Sequence, residues 1–464
     1  MEVSIRKKTQ INTVLVIKWL LTVIIPASFL LIPSSEIFTD RMRLFLIITI
    51  FSIMIIAFEF MNVMIPSIFL PLAYLLFNVA PSEVVYSAWS NALPWMFIAV
   101  FTIANTFERI GLIERIAYWC VVKIGGGFKG LAISVLAAGL ILSLVLPGGN
   151  AHAPLLFFVY GICRAMGWGK SKEATVLFMF VSLGTYTTIK FFLNPYIYLI
   201  ANMQKVAELG PMTFFKYLGH NAIYLLWFVI AAVVIYKMLN PEGKMKSKDY
   251  FREHYQSLGK MKTDEKKAIL VALLLVALIM TISYHKIEMG WCFVIIACLM
   301  YFPFINIATA DDVKNANFSM VFFVAACMTI GNVATASGIG NLITSLVVPH
   351  LGDLGETGFF FLVLMLGFLG NFVMTPLAII ATLTAPITQI AVDLGINHLP
   401  VWYTLSISTN LFVLPYEYVA YLFMFSFGLM ELKDFVKVYS VKSCLLVLFT
   451  LFVALPYWRL IGLL

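Results

Sequence analysis

A few side chains sit where a hydrophobic chain should carry no polar group. Asn150 and His152 fall in Pro147-Gly148-Gly149-Asn150-Ala151-His152-Ala153-Pro154, between the apolar runs Leu131–Leu146 and Leu155–Tyr160. A carboxamide has two donors and an acceptor oxygen, so Asn150 suits a carboxylate through its NH2 and a cation through its oxygen. Its plainer role is to cap a broken helix. His152 is either a ligand at the same place or a hydrogen-bonded structural histidine. Lys190 lies mid-segment in Tyr186-Thr187-Thr188-Ile189-Lys190-Phe191-Phe192-Leu193-Asn194-Pro195. A cation at membrane depth costs ~3 kcal/mol on insertion scales, so it faces a cavity, a partner or the interface. Glu417, in Leu414-Pro415-Tyr416-Glu417-Tyr418, is the acid that could hold a cation or neutralise Lys190. Glu59 is another acid within a span, a candidate for a proton or a packing partner.

The elements that carry these residues must be broken helices. Gly and Pro oppose regular helix, one by backbone entropy and the other by its missing N–H. Backbone freed in this way survives in a membrane only when buried in protein or facing a water-filled cavity. The break at Asn150 has a counterpart, Leu369-Gly370-Asn371-Phe372-Val373-Met374-Thr375-Pro376, inside the apolar run Phe359–Ala381. Asn150 and Asn371 are 221 positions apart; Asn194-Pro195 and Leu414-Pro415 are 220 apart. Asn105 with Gly111 and Asn332 with Gly338 repeat at 227. Three matches at nearly one offset and in one order indicate an internal duplication with broken segments in both halves. Such pairs are the sequence signature of a secondary transporter's binding site. At each tip a helix restarts after the Asn, and its N-terminus favours an anion. Gly149 and Gly370 beside the asparagines are hinges or sources of backbone carbonyl ligands.

Composition sets the class. Of 464 residues 62% are hydrophobic and 12% charged, against about 25% charged in soluble domains. The chain reads as an all-α polytopic membrane protein whose partner is the lipid bilayer. The net charge of +8 is spread over short loops and is not a nucleic-acid signature. Six cysteines lie in or beside apolar runs without a CxxC pair, so neither disulfide nor metal site is expected. No P-loop, strand-bound GxGxxG or HExxH is present, which argues against an enzyme.

With the N-terminus in the cytoplasm and both broken runs re-entrant, Arg41, Arg43, Lys205, Lys216, Lys286 and Arg459 fall outside. Lys18 and Lys190 stay in the membrane. The other 23 of the 31 Lys and Arg, including Lys433, Lys437 and Lys442, fall inside. This satisfies the positive-inside rule. The expected organisation is an N-terminal transmembrane helix over 1–40, a first repeat over 41–238 with a hairpin around 131–166, a cytoplasmic linker over 239–267, and a second repeat over 268–464 with a hairpin around 357–394. That gives about eleven crossings in two inverted repeats, each with a re-entrant hairpin and a discontinuous helix, in the cytoplasmic (inner) membrane with an external C-terminus.

From about Phe58 onward the chain resembles the divalent anion:sodium symporters. Glu59-Phe60-Met61-Asn62-Val63-Met64-Ile65-Pro66 is similar to that family's early signature, and Asn105–Ile116 to its helix-ending stretch. Where the family carries Ser-Asn-Thr at each hairpin tip, this chain reads Gly149-Asn150-Ala151 and Gly370-Asn371-Phe372. The resemblance implies a homodimer that works as an elevator, with a dicarboxylate, citrate or sulfate held between the tips and Na+ as coupling ion. Substrate contacts are then expected from Gly149, Asn150, His152, Lys190, Asn194, Pro195, Gly370, Asn371, Pro415 and Glu417. Asn371, Thr375, Ser408, Thr409 and Asn410 offer sodium ligands in the second half. Asn150, Gly184 and Thr185 form the poorer set in the first half, where the tip hydroxyls are lost and Lys190 is gained. The expected function is sodium-coupled symport or exchange of a small anion. An integral-membrane enzyme acting on a lipid-borne substrate and an ion channel are the rival readings.

Overall fold

The structure is a computed structural model. It describes residues 13–464 apart from 36–37, 59, 125–126, 148, 195, 198, 201–211, 244–248, 340–354 and 373–375. Glu59, Pro195 and Thr375 therefore lie outside the described residues. Helices account for every regular element among those described. The longer ones, in order, are α1 (Thr13–Ser28), α2 (Asp40–Ala57), α3 (Met64–Leu76), α4 (Ala92–Ile110), α5 (Leu112–Ile124), α6 (Phe128–Val145), α7 (His152–Met166), α8 (Lys172–Tyr186), α9 (Phe214–Asn221) and α10 (Ile223–Leu239). The chain continues through α11 (Asp249–Ser257), α12 (Thr263–Met280), α13 (Met289–Leu299), α14 (Phe318–Ser337), α15 (Gly355–Asn371), α16 (Pro376–Asp393), α17 (His398–Ser408) and α18 (Val419–Ser426). The last, α19, starts at Leu432 and runs through a π turn at Thr450–Ala454 to Leu460.

Local chemistry sets many of these ends. Ser171, Thr213 and Asn397 cap α8, α9 and α17 by accepting from Ala174, Lys216 and Leu399 N–H. α4 stops at Gly111, whose φ of +87° is the left-handed form that Gly adopts freely, and the chain turns 66° into α5. Gly338, which the sequence pairs with Gly111, has φ +77° at the end of α14.

The two halves pack alike. Hairpin helices α6 and α7 lie on α8, and α15 and α16 lie on α17. α6 meets α8 at glycines: a Cβ on Gly184 would be 2.9 Å from Leu136 O and 3.1 Å from Gly139 Cα. The arms are exchanged, since α13 packs on α4 and α3 on α14. Even the clasps match. Asn105 Nδ2 donates to Asp312 O (2.8 Å), while Asn332 Nδ2 donates to Ser87 Oγ (2.6 Å).

α6 and α19 are each long and apolar enough to cross a membrane. The bent pairs α4–α5 and α9–α10 reach that length together, with α9–α10 bent by 61°. α7 and α15 are shorter, at 15 and 17 residues.

Two features differ from the sequence reading. The linker is partly folded, because α11 packs on α5 with Phe251 buried, and α12 begins at Thr263 rather than 268. Lys442 does not sit in a cytoplasmic loop. It lies ten residues into α19 and is buried, because Phe435, Val438, Tyr439, Lys442, Ser443 and Leu446 form one helical face turned into the protein.

Candidate functional site

Both breaks in the hairpin helices converge on one cavity of about 690 Å³. The first tip supplies Gly149, Asn150, His152, Ala153 and Pro154; the second supplies Pro376 and Leu377 at the start of α16. The N-termini of α7 and α16 therefore face the same space, and their free N–H groups suit an anion. Among the described residues no Lys or Arg lines it. Its outer end is formed by the exposed Met61, Glu108 and Asn317 and its inner end by buried His152.

At the first tip Gly149 has φ +85°, and a Cβ there would collide with the ring of Tyr186. Asn150 Nδ2 donates to Pro147 O at 2.6 Å, which closes the turn and leaves the side chain on the cavity wall. His152 Nδ1 lies 3.1 Å from Thr185 Oγ1, and its ring is 4.8 Å from that of Tyr186. Thr185 Oγ1 also donates to Val181 O, and Ser143 Oγ lies 3.1 Å from Gly184 O. The first-half candidate sodium ligands Gly184 and Thr185 are thus engaged by neutral groups of the protein.

The second tip is built differently. Asn371 does not line the cavity. It is buried under the break after α17, where its Nδ2 donates to Ser408 O (3.3 Å) and Leu411 O (3.2 Å). Its Oδ1 is buried with no hydrogen-bond partner among the described residues. Ser408 and Thr409 hydroxyls donate to Leu405 O and Ser406 O, and Asn410 Nδ2 to Ser406 O, the local back-bonding usual for such residues in helices. The orphaned Oδ1 is the one free oxygen this side chain offers a cation, because the Ser408 and Leu411 carbonyls are taken by its own NH2 group. Gly370 packs α15 against Ile379 of α16.

The discontinuities after α8 and α17 are held by one side chain each. Asn194 Nδ2 donates to Ile189 O (2.7 Å), and its Oδ1 accepts from Tyr196 and Ile197 N–H. Glu417 accepts from Val413 and Leu414 N–H, the latter at 2.7 Å, in the turn that starts at buried Pro415. The Glu417 carboxylate makes no ion pair with Lys190 among the described residues; it serves the backbone instead. Lys190 is 4% exposed and ends the 3-10 turn that follows α8. Asn194, Lys190, Pro415 and Glu417 all stand behind the cavity wall rather than on it.

Three residues on the wall were missed by sequence reasoning: Tyr186, Tyr196 and Tyr418. The Tyr186 and Tyr418 rings are 5.2 Å apart. The signal for Tyr196 and Tyr418 was present in the paired Tyr196-Ile197-Tyr198 and Tyr416-Glu417-Tyr418, where the Asn, Pro and Glu drew attention first.

The fold resembles the YdaH transporter of Alcanivorax borkumensis, with a TM-score of 0.57, 14% identity, and 84% of this chain and 89% of that chain covered. In sequence, the chain is 24% identical to the inner membrane protein YbhI of Escherichia coli over 241 residues, 49% of this chain and 50% of that protein. It is 28% identical to the putative malate transporter YflS of Bacillus subtilis over 209 residues, 41% of this chain and 43% of that protein. It is 32% identical to the chloroplastic dicarboxylate transporter 1 of Spinacia oleracea over 84 residues, 18% of this chain and 15% of that protein. The matched stretches span half or less of each of these curated relatives. Residues 13–464 match the profile of the sodium:sulfate symporter transmembrane region. With nearly its whole length matched, the chain belongs to the sodium:sulfate symporter family, and it is an integral membrane protein.

Proposed function

We propose that the protein is a secondary active transporter of small di- or tricarboxylates, or of another divalent anion, working by elevator-type alternating access as a homodimer. The observation that carries this reading is the shared cavity, where one helix N-terminus from each half meets Asn150 and His152. Such N-termini hold an anion without a fixed cation. The putatively malate-transporting and the dicarboxylate-transporting relatives favour an organic dianion. The cavity mouth at Glu108 and Asn317 adjoins Arg109, which pairs with Asp312 at 2.7 Å. The charge bias puts that face in the cytoplasm, so the conformation reads as inward-facing. Re-entrance of both hairpins is part of the proposal. Single cysteines at Lys129 and Lys170 should label only from the cytoplasm and one at Asn397 only from outside; labelling of Lys129 and Lys170 from opposite faces rules it out.

Coupling follows from the difference between the halves. The sodium site of the second half draws its oxygens from Asn371, through its unpartnered Oδ1, and from Thr375, Ser408, Thr409 and Asn410. In the first half Lys190 takes the place of a sodium ion, since an ammonium keeps the break electropositive without an ion bound. The protein then couples to fewer sodium ions than its relatives, or to none, as an exchanger would. Labelled succinate, citrate and sulfate should accumulate in proteoliposomes, with counterflow persisting in sodium-free buffer. Lys190→Ala should abolish transport or make it more sodium-dependent. A wild-type Hill coefficient for sodium of ~2 or more, without exchange when sodium is absent, would show that Lys190 replaces nothing.

A further inference from the structure

A second groove, of about 470 Å³, runs along α19 and is separate from the hairpin-tip cavity. α15 supplies Phe361 and Phe368, α19 supplies Cys444 and Leu448, and buried Leu411 of the second break is the floor. α15 meets α19 at the π turn, Thr450–Ala454, and the groove occupies the turns of α19 before it. Because α19 is long and apolar enough to span, these turns lie at membrane depth, where the surrounding solvent is hydrocarbon. The α19 wall is regular. Ser440, Ser443, Cys444, Val447 and Leu448 are spaced i, i+3, i+4, i+7 and i+8, which is one helical face. One and two turns earlier on the same stripe stand Lys437 and Lys433. Lys433 pairs with Glu431 at 2.6 Å. Lys437 is exposed and has no ion pair or hydrogen bond among the described residues. Lys437 and Leu448 are eleven residues apart, about 16 Å along the axis. One leaflet of a bilayer holds about 15 Å of hydrocarbon. The stripe therefore has the length of one leaflet's chains, with a free cation at the end where headgroups begin.

We propose that this groove holds one acyl chain of an anionic phospholipid, with the lipid phosphate on Lys437. The apolar walls suit the chain, and the unpaired ammonium gives an anionic headgroup an advantage over a zwitterionic one. The seated chain also backs Leu411, whose carbonyl accepts from Asn371 Nδ2 at 3.2 Å, so the lipid braces the second break from the membrane side. The site does not depend on the transport reading and can be tested without transport.

The protein carries its own reporter. Cys444 on the groove wall and Cys298 on α13 are exposed thiols, and the other four cysteines are buried. The test is the rate of N-ethylmaleimide modification of the purified full-length protein in detergent. Cys298→Ser isolates Cys444, and Cys444→Ser isolates Cys298 as the control. Dioleoyl phosphatidylglycerol or dioleoyl phosphatidylcholine is added in parallel arms. With phosphatidylglycerol at several times its Kd the groove is mostly filled, and the Cys444 rate should fall by about fivefold while the Cys298 rate holds. Lys437→Gln should raise the phosphatidylglycerol needed by about fivefold, the worth of one lysine against an anionic lipid, and should remove its advantage over phosphatidylcholine. Lys437→Arg should keep both, because it keeps the charge. No slowing at Cys444, equal slowing of both thiols, equal protection by the two lipids, or protection untouched by Lys437→Gln overturns the proposal. So does ready Cys444–Cys444 disulfide formation on mild oxidation, which would show that a second copy of the chain covers the groove.

Discussion

Gly149→Ala is expected to reduce anion uptake into proteoliposomes by tenfold or more at matched membrane expression. Two costs add at this position. A left-handed backbone (φ +85°) costs a residue with a Cβ about 1–2 kcal/mol, and the new methyl group would drive into the Tyr186 ring. Overpacking of that kind costs about 1–3 kcal/mol, and each 1.4 kcal/mol removes about tenfold of the native tip population. The strain is concentrated where Asn150 and the α7 N-terminus meet the cavity, so binding should suffer before global stability does. Gly161→Ala, on α7, is the control, because a Cβ there meets nothing within 4 Å. Uptake by Gly149→Ala at the wild-type rate would mean that the observed tip geometry is not the one used in transport.

A loss of about 3–5 kcal/mol is expected when Glu265 is replaced by Ala. Arg115 Nε donates to Glu265 Oε1 at 2.9 Å, and the two side chains are only 6% and 5% exposed. The guanidinium also donates to Gly259 O (3.1 Å) and Leu258 O (3.0 Å), while Glu265 Oε2 accepts from Lys262 N–H at 2.7 Å. Without the carboxylate, Arg115 stays buried with two carbonyls and no counter-charge. The junction of α5, α11 and α12 should loosen, and the unfolding midpoint in detergent should fall by several degrees. Replacing both partners with apolar residues, Arg115→Met with Glu265→Leu, should recover most of the loss, because the cost lies in the stranded charge rather than in the missing pair. A midpoint unchanged in Glu265→Ala would show that this junction is not part of the cooperative unit.

The membrane class and the places where helices break were legible in the residues alone. Gly and Pro act through local sterics, which need no knowledge of the fold, so the break before α7 could be read directly, while the stop of α4 near Gly111 was signalled only by the family's helix-ending stretch. The family was also legible, since its asparagines survive at both hairpin tips. Which polar residues face the cavity was not. Asn150 and Asn371 look equivalent in the chain, yet one stands on the cavity wall and the other is folded under a break, held by Ser408 and Leu411 carbonyls. Glu417 looked like a partner for Lys190 and instead caps its own turn, because a local backbone N–H is always within reach of a side chain whereas a distant cation is not. Lys442 looked like a loop residue because acids and lysines run just ahead of it from Glu431 to Lys437. Only the packing of α19 against α10 puts it indoors. Helix breaks depend on neighbours along the chain, while burial and charge pairing depend on neighbours across it, and those exist only once the helices have packed.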